Sequence, residues 1–126
     1  QSGGFTEEPA KIIMGGPMMG IAQFSVDVPV VKGTSALLAF TKQEAKLWEE
    51  KPCIRCGKCV QVCPLHLLPL YMSAYARKDD LEKAEKYHVL DCCECGSCSF
   101  ICPSKRHLVQ SIRLAKQAII AHRQKN

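Results

Sequence analysis

Two cysteine runs of identical spacing decide most of what this chain can become. Cys53, Cys56, Cys59 and Cys63 are followed by Pro64, and Cys92, Cys95, Cys98 and Cys102 by Pro103. Both runs read C-x2-C-x2-C-x3-C-P, and every member is offset by 39 residues, as are Gly57 and Gly96. Such an internal duplication is a structural unit written twice. Thiolates three residues apart wrap one loop around several metal atoms. The glycines permit backbone angles that bring amides up to the sulfurs. The prolines are expected to close each loop and open the next helix, where a missing N–H costs nothing. A structural zinc site would use four ligands, normally in two separated pairs, and a disulfide framework an even count and an oxidising compartment. Of the nine cysteines only Cys93 is left over. It is expected to point away from the metal as a small buried hydrophobe, with a redox-active thiol as the alternative.

The spacing is the bacterial ferredoxin pattern, in which the fourth cysteine of each run ligates the other [4Fe-4S] cluster. Carried over, that rule gives one cluster Cys53, Cys56, Cys59 and Cys102, and the other Cys92, Cys95, Cys98 and Cys63. An iron–sulfur cage passes one electron at a time, and two side by side form a relay. Net charge and amide–sulfur hydrogen bonds set each potential. Arg55 and Lys58 in the first loop, against Glu94 in the second, place the first cluster at the higher potential by charge alone. No catalytic residue is expected. His66, His88, His107 and His122 have no ligand spacing and are expected at the surface.

The length of 126 residues suits one domain, or one small domain with an appendage. Leu, Ile, Val and Phe make up about a quarter of the chain, too many for disorder. No apolar run approaches the ~20 residues of a membrane span. The first residue is Gln1 and no signal-peptide pattern follows, so a piece of a longer protein is expected. The formal charge of +5 is lopsided: after Glu94 come six basic residues and no acid (Lys105, Arg106, Arg113, Lys116, Arg123, Lys125). That excess suits a solvated helix face, or docking on a partner protein or anionic lipid.

Residues 1–40 read as extended. Lys11 to Met14 is β-prone, Gly15 to Gly20 a tight turn, and Ala36 to Phe40 a second short strand. Phe24, Val26, Val28 and Val30 alternate with polar residues and Pro29 as an edge strand would. The remainder, 41–126, reads as helical. Thr41 and Glu44 match a capping box for a helix running to about Glu50, with Trp48 in its core. Helices are expected over Leu70 to Arg77 and Leu81 to His88, the second capped by Asp79 or Asp80. A last helix is expected after Ser104, which would cap it, with Leu108, Ile112, Ala115 and Ile119 on one face. The fold class is therefore α+β, mainly helical around two [4Fe-4S] clusters, preceded by a short β or extended segment.

Three stretches resemble the C subunit of the Rnf electron transport complex: Pro52-Cys-Ile-Arg-Cys-Gly-Lys-Cys-Val, Val62-Cys-Pro-Leu-His-Leu-Leu-Pro and Asp91-Cys-Cys-Glu-Cys-Gly-Ser-Cys-Ser-Phe-Ile-Cys-Pro-Ser. Leu108-Val-Gln with Arg113 and Lys116, and upstream Gly15-Gly-Pro-Met-Met-Gly and Val31-Lys-Gly-Thr-Ser, fit the same family. The resemblance implies that residues 1–40 are the end of a β-grasp-type domain with a linker, and that 41–126 form a helical di-cluster ferredoxin-like domain. It implies an electron-transfer module of an ion-translocating ferredoxin:NAD oxidoreductase, peripheral on the cytoplasmic side of the membrane, with the other subunits as partners. FMN and NAD(H) would belong to a domain upstream of this segment, so the segment is not expected to be catalytic alone. Neither nucleic acid nor a small-molecule substrate is expected on it. Microcompartment cobalamin reductases share the architecture and are the nearest alternative; a structural iron–sulfur docking module is another.

Overall fold

The computed structural model describes residues 3–45 and 48–126. The chain divides into two compact units, 1–48 and 49–126. In the first, strands β1 (Lys11–Met14), β2 (Ile21–Gln23) and β3 (Leu37–Phe40) form an antiparallel sheet in the order β2-β1-β3. The central strand carries the buried pair Ile12 and Ile13, with Ile12 opposite Gln23 and Ala39. The alternating stretch Phe24 to Val30 forms no strand. The Ser25 hydroxyl accepts from the Asp27 N–H, closing a local turn in place of a ladder, and Phe24, Val26 and Val30 are exposed. Only the return half of the capping box forms: Thr41 N–H and hydroxyl both donate to Glu44 Oε2 at 3.3 Å, while Glu44 N–H donates to Thr41 O. It closes only a turn. Residues 48–50 are not helical and Trp48 is exposed, while Lys46 and Leu47 of the expected helix lie outside the described residues.

The second unit holds α1 (Lys58–Gln61), α2 (Pro69–Arg77), α3 (Leu81–Lys86), a 3-10 turn (Val89–Asp91), α4 (Ser97–Ile101) and α5 (Leu108–Lys125). Asp80 caps α3 by accepting from Lys83 N–H at 3.2 Å. The helix ends at Lys86 because His88 turns left-handed at φ 62°. Tyr87 stacks between Tyr71 and Tyr75 at 5.3 and 5.4 Å and ties this end back to α2. The core joins Met72, Ala84 and Val89 to Ile112, Ala115 and Ile119, the face expected of the last helix.

Neither Pro64 nor Pro103 opens a helix. Four residues intervene in each repeat, and α2 and α5 begin at Pro69 and Leu108, again 39 apart. Pro69 takes the first-turn position in place of Pro64. Ser104 is buried, its carbonyl accepts from Lys51 N–H at 2.9 Å, and it does not cap α5; the Ser99 hydroxyl does, accepting from Val109 N–H at 3.0 Å.

Candidate metal centre

The duplication is carried into the backbone angle by angle. Arg55 and Glu94 are left-handed at φ 53° and 56°, Gly57 and Gly96 at 76° and 84°, His66 and Lys105 at 54° and 53°. Hydrogen bonds repeat as well: Arg55 N–H donates to Cys53 Sγ and Glu94 N–H to Cys92 Sγ, both at 3.4 Å. His66 N–H donates to Cys63 O and Lys105 N–H to Cys102 O, at 3.1 and 3.2 Å. Leu67 N–H reaches Cys63 Sγ at 3.4 Å. A Cβ added to Gly57 would meet no atom within 4 Å, so Gly57→Ala should lose only the strain of its positive φ, about 1–2 kcal/mol. The denaturant midpoint of the metal-loaded protein under anaerobic conditions checks this.

Two cavities of similar size lie in this unit. The first is lined by Cys53, Cys56 and Cys59 from the first run and Cys102 from the second. The second is lined by Cys92, Cys95 and Cys98 from the second run and Cys63 from the first. The apolar walls obey the same pseudo-twofold relation. Leu70 and Leu108 close the first cavity, and their partners under the offset, Val109 and Pro69, close the second. All nine cysteines are free thiols. Among the described residues no three Cys, His, Asp or Glu side chains converge on a point suited to one ion; the thiols ring cavities instead. Four sulfur donors per cavity and apolar walls fit a [4Fe-4S] cage, which takes one thiolate on each iron and is sensitive to water and charge.

Without metal the covered thiols Cys59, Cys92 and Cys98 resist ionisation. Burial pushes Cys98 up to about 11 and raises Cys59 and Cys92, whereas the Ser97 hydroxyl lowers Cys95. A metal core held here would have to displace those protons, so its binding would strengthen as pH rises.

Cys93 does not take its expected place. It is exposed and lines the second cavity at the position where Ile54 lines the first. The 39-residue offset already pairs these two residues and was the signal for an outer cover residue. Glu94 also differs from expectation. Arg113 Nε sits 2.7 Å and Lys116 Nζ 3.2 Å from its carboxylate. Burial would raise that carboxyl, but these two cations outweigh it and hold it below its ordinary range. With one acid between two cations the second loop is not negative, so the charge difference between the two loops is smaller than the loop sequences suggest, though Arg55 and Lys58 leave the first the more positive. Arg123 pairs with Glu85. Three of the six basic residues after Glu94 are thus engaged in ion pairs of this unit, two of them largely covered and Arg123 at the surface, so reversing them would disturb these pairs as well as any docking. Glu50 is a further strut: the Arg77 guanidinium and the His107 N–H, at 3.0 Å from Oε1, hold its carboxyl at about 2.

A family model described as a 4Fe-4S dicluster domain matches residues 45–117. Over 125 residues, 99% of its length, the chain is 57% identical to the C subunit of the Na(+)-translocating ferredoxin:NAD(+) oxidoreductase complex of Acetobacterium woodii, and covers 28% of that protein. It is 55% identical to the proton-translocating counterpart from Clostridium ljungdahlii, over 90% of this chain and 25% of that one. With the C subunit of the ion-translocating oxidoreductase complex of Methanosarcina acetivorans it shares 47% over 94% of its length, covering 26% of the relative. The chain thus spans about a quarter of the length of these curated relatives.

Proposed function

The chain belongs to the 4Fe-4S dicluster domain family, and from that premise we propose that it is the electron-transfer module of an Rnf-type, ion-translocating ferredoxin:NAD oxidoreductase complex. Two [4Fe-4S] clusters are held in the two cavities, one by Cys53, Cys56, Cys59 and Cys102, the other by Cys92, Cys95, Cys98 and Cys63. The observation that carries this reading is the pair of similar cavities, each lined by four cysteines, three from one repeat and the fourth from the other. Names of the relatives support the complex: each is the C subunit of an oxidoreductase complex that translocates ions.

When bound, the clusters supply one-electron storage. This chain's own residues hold the thiolates, aim the amides of Arg55, Leu67 and Glu94 at sulfur, and exclude water with Leu70, Leu108, Pro69 and Val109. Cys98 packs with Leu108 and Val109 against Cys59 and Cys102, so ligands of both cavities share one apolar contact and the relay between them is short. Hydride chemistry belongs to FMN and NAD(H) on an upstream domain, of which residues 1–40 form the β-grasp-like end, with 41–126 as the di-cluster domain. The other subunits are its partners at the cytoplasmic face of the membrane. Peripheral attachment agrees with the finding that, among the described residues, no helix is long and apolar enough to cross a bilayer.

Anaerobic analysis of the purified protein should find about eight irons and eight acid-labile sulfides per chain, with paramagnetic signals that appear and vanish reversibly on reductive titration. One or two zinc ions without sulfide would overturn the assignment; clusters that never reduce would make it a structural docking module.

A further inference from the structure

The two repeats serve as internal controls for each other, because equivalent residues share type and backbone angle yet differ in exposure. Cys53 and Cys56 are exposed, whereas Cys92 and Cys95 are half-buried; Cys59 is half-buried and Cys98 buried. What lies over the second loop is α5. Arg113 and Lys116 grip Glu94, and Lys116 Nζ also donates to Cys92 O at 2.8 Å. Under the offset their counterparts on α2 are Ala74 and Arg77. Ala74 is too short to reach a loop, and Arg77 carries the same charge as Arg55 and turns to Glu50 instead. The first loop is therefore left open by the same construction that covers the second.

The open loop has a distinct chemistry. Ile54 is 67% exposed at its centre. Lys51, Arg55 and Lys58 are exposed around it, with Arg106 half-buried on the cavity wall. Among the described residues none of these four cations is in an ion pair. Glu50, the acid beside Lys51 in the chain, is taken by Arg77 and His107 N–H. An apolar centre inside a charged rim is the anatomy of a protein interface, and a one-sign rim steers an oppositely charged partner.

We propose that the mouth of the first cysteine cavity is the docking surface for a separate redox protein that presents an acidic contact face. The proposal rests on the electron-transfer reading above. An anionic lipid or nucleic acid would also answer the charge, but neither brings an electron carrier to the cysteine site whose ligands Cys53 and Cys56 are exposed, where their counterparts Cys92 and Cys95 are half-buried.

The test uses the intact complex, isolated anaerobically, and a carbodiimide, which joins a lysine amine directly to a touching carboxylate. Lys51 and Lys58 are expected to be linked to Asp or Glu of a different polypeptide. Arg55→Glu with Lys58→Glu should lower the Lys51 link at least about tenfold at low salt, and Lys78→Glu, which lines neither cavity, should leave it unchanged. Arg55→Glu places at φ 53° the residue type that Glu94 already holds at 56°, and the fold of the double variant is read from its dithionite-reduced paramagnetic signals. Links only to carboxylates of this chain or of a second copy, no links at all, or links indifferent to the double variant overturn the proposal. Links that persist on clusters dithionite cannot reduce would uphold the docking surface and fail the electron-transfer reading instead.

Discussion

Cys63→Ser is expected to abolish or broaden the paramagnetic signal of the site built by Cys92, Cys95 and Cys98, and to spare that of its sequence neighbours Cys53, Cys56 and Cys59. Cys102→Ser should do the reverse. The reason is geometric: Cys63 lines the cavity of the second run, and Cys102 that of the first. Neither substitution should act on one cluster alone in stability terms. Cys59, Cys98 and Cys102 share the contact with Leu108 and Val109, and metal binding is folding energy in a site that closes on its metal. Both variants should therefore melt well below the wild type. Comparison with Cys56→Ser and Cys95→Ser checks the crossing. If Cys63→Ser disturbs the same signal as Cys56→Ser, each run keeps its own cluster and the exchanged ligation is wrong.

Met72→Ala should produce the second large effect. Met72 is fully buried in the α2–α5 core and also forms part of the wall of the second cavity, not the first. Truncation of a buried methionine costs about 2–5 kcal/mol, the spread reflecting how far the site collapses. The vacated volume adjoins the second cysteine site, so water and oxygen gain entry there. Anaerobic denaturation should show the loss of stability, and exposure to air should bleach the second cluster first while the first keeps its wild-type lifetime. Equal bleaching of both would mean that the wall is not set by Met72.

Much of this was legible because a strict chemical periodicity survives in the chain. The cysteine offset located both loops, and the short apolar runs located β1 and β3. The spacing of Leu108, Ile112, Ala115 and Ile119 placed the buried face of α5. What was not legible depends on partners distant in sequence. Phe24 to Val30 has the alternation of a strand, but the Ser25 hydroxyl turns the chain on itself by accepting from Asp27 N–H, and the segment joins neither outer edge of the sheet. Glu94 looks like an unbalanced charge in its loop, and nothing local announces that Arg113 and Lys116 come back to it from α5. Pro64 and Pro103 follow a sound rule about helix starts, yet the left-handed His66 and Lys105 insert a further turn before the helices begin. The exposure of Cys93 is a different case: the repeat contained the answer, in its pairing with Ile54.

Ser73 and Ser111 form the one hydroxyl pair in the α2–α5 contact, at 2.7 Å. Ser111 gives its proton to Leu108 O at 2.8 Å, so Ser73 is the donor between them. Under the 39-residue offset Ser73 corresponds to Ile112 and Ser111 to Met72, both fully buried and apolar. The halves of the duplication are thus unlike at the place where they meet. Two first halves brought together would set Ser73 against Met72, and two second halves Ser111 against Ile112. A first-half self-pairing would leave the Ser73 hydroxyl facing hydrocarbon, at about 1–3 kcal/mol for each unsatisfied group, whereas Ser111 would keep its bond to Leu108 O. The two halves of the repeat are complementary at this contact, which favours pairing between opposite halves over pairing of like with like.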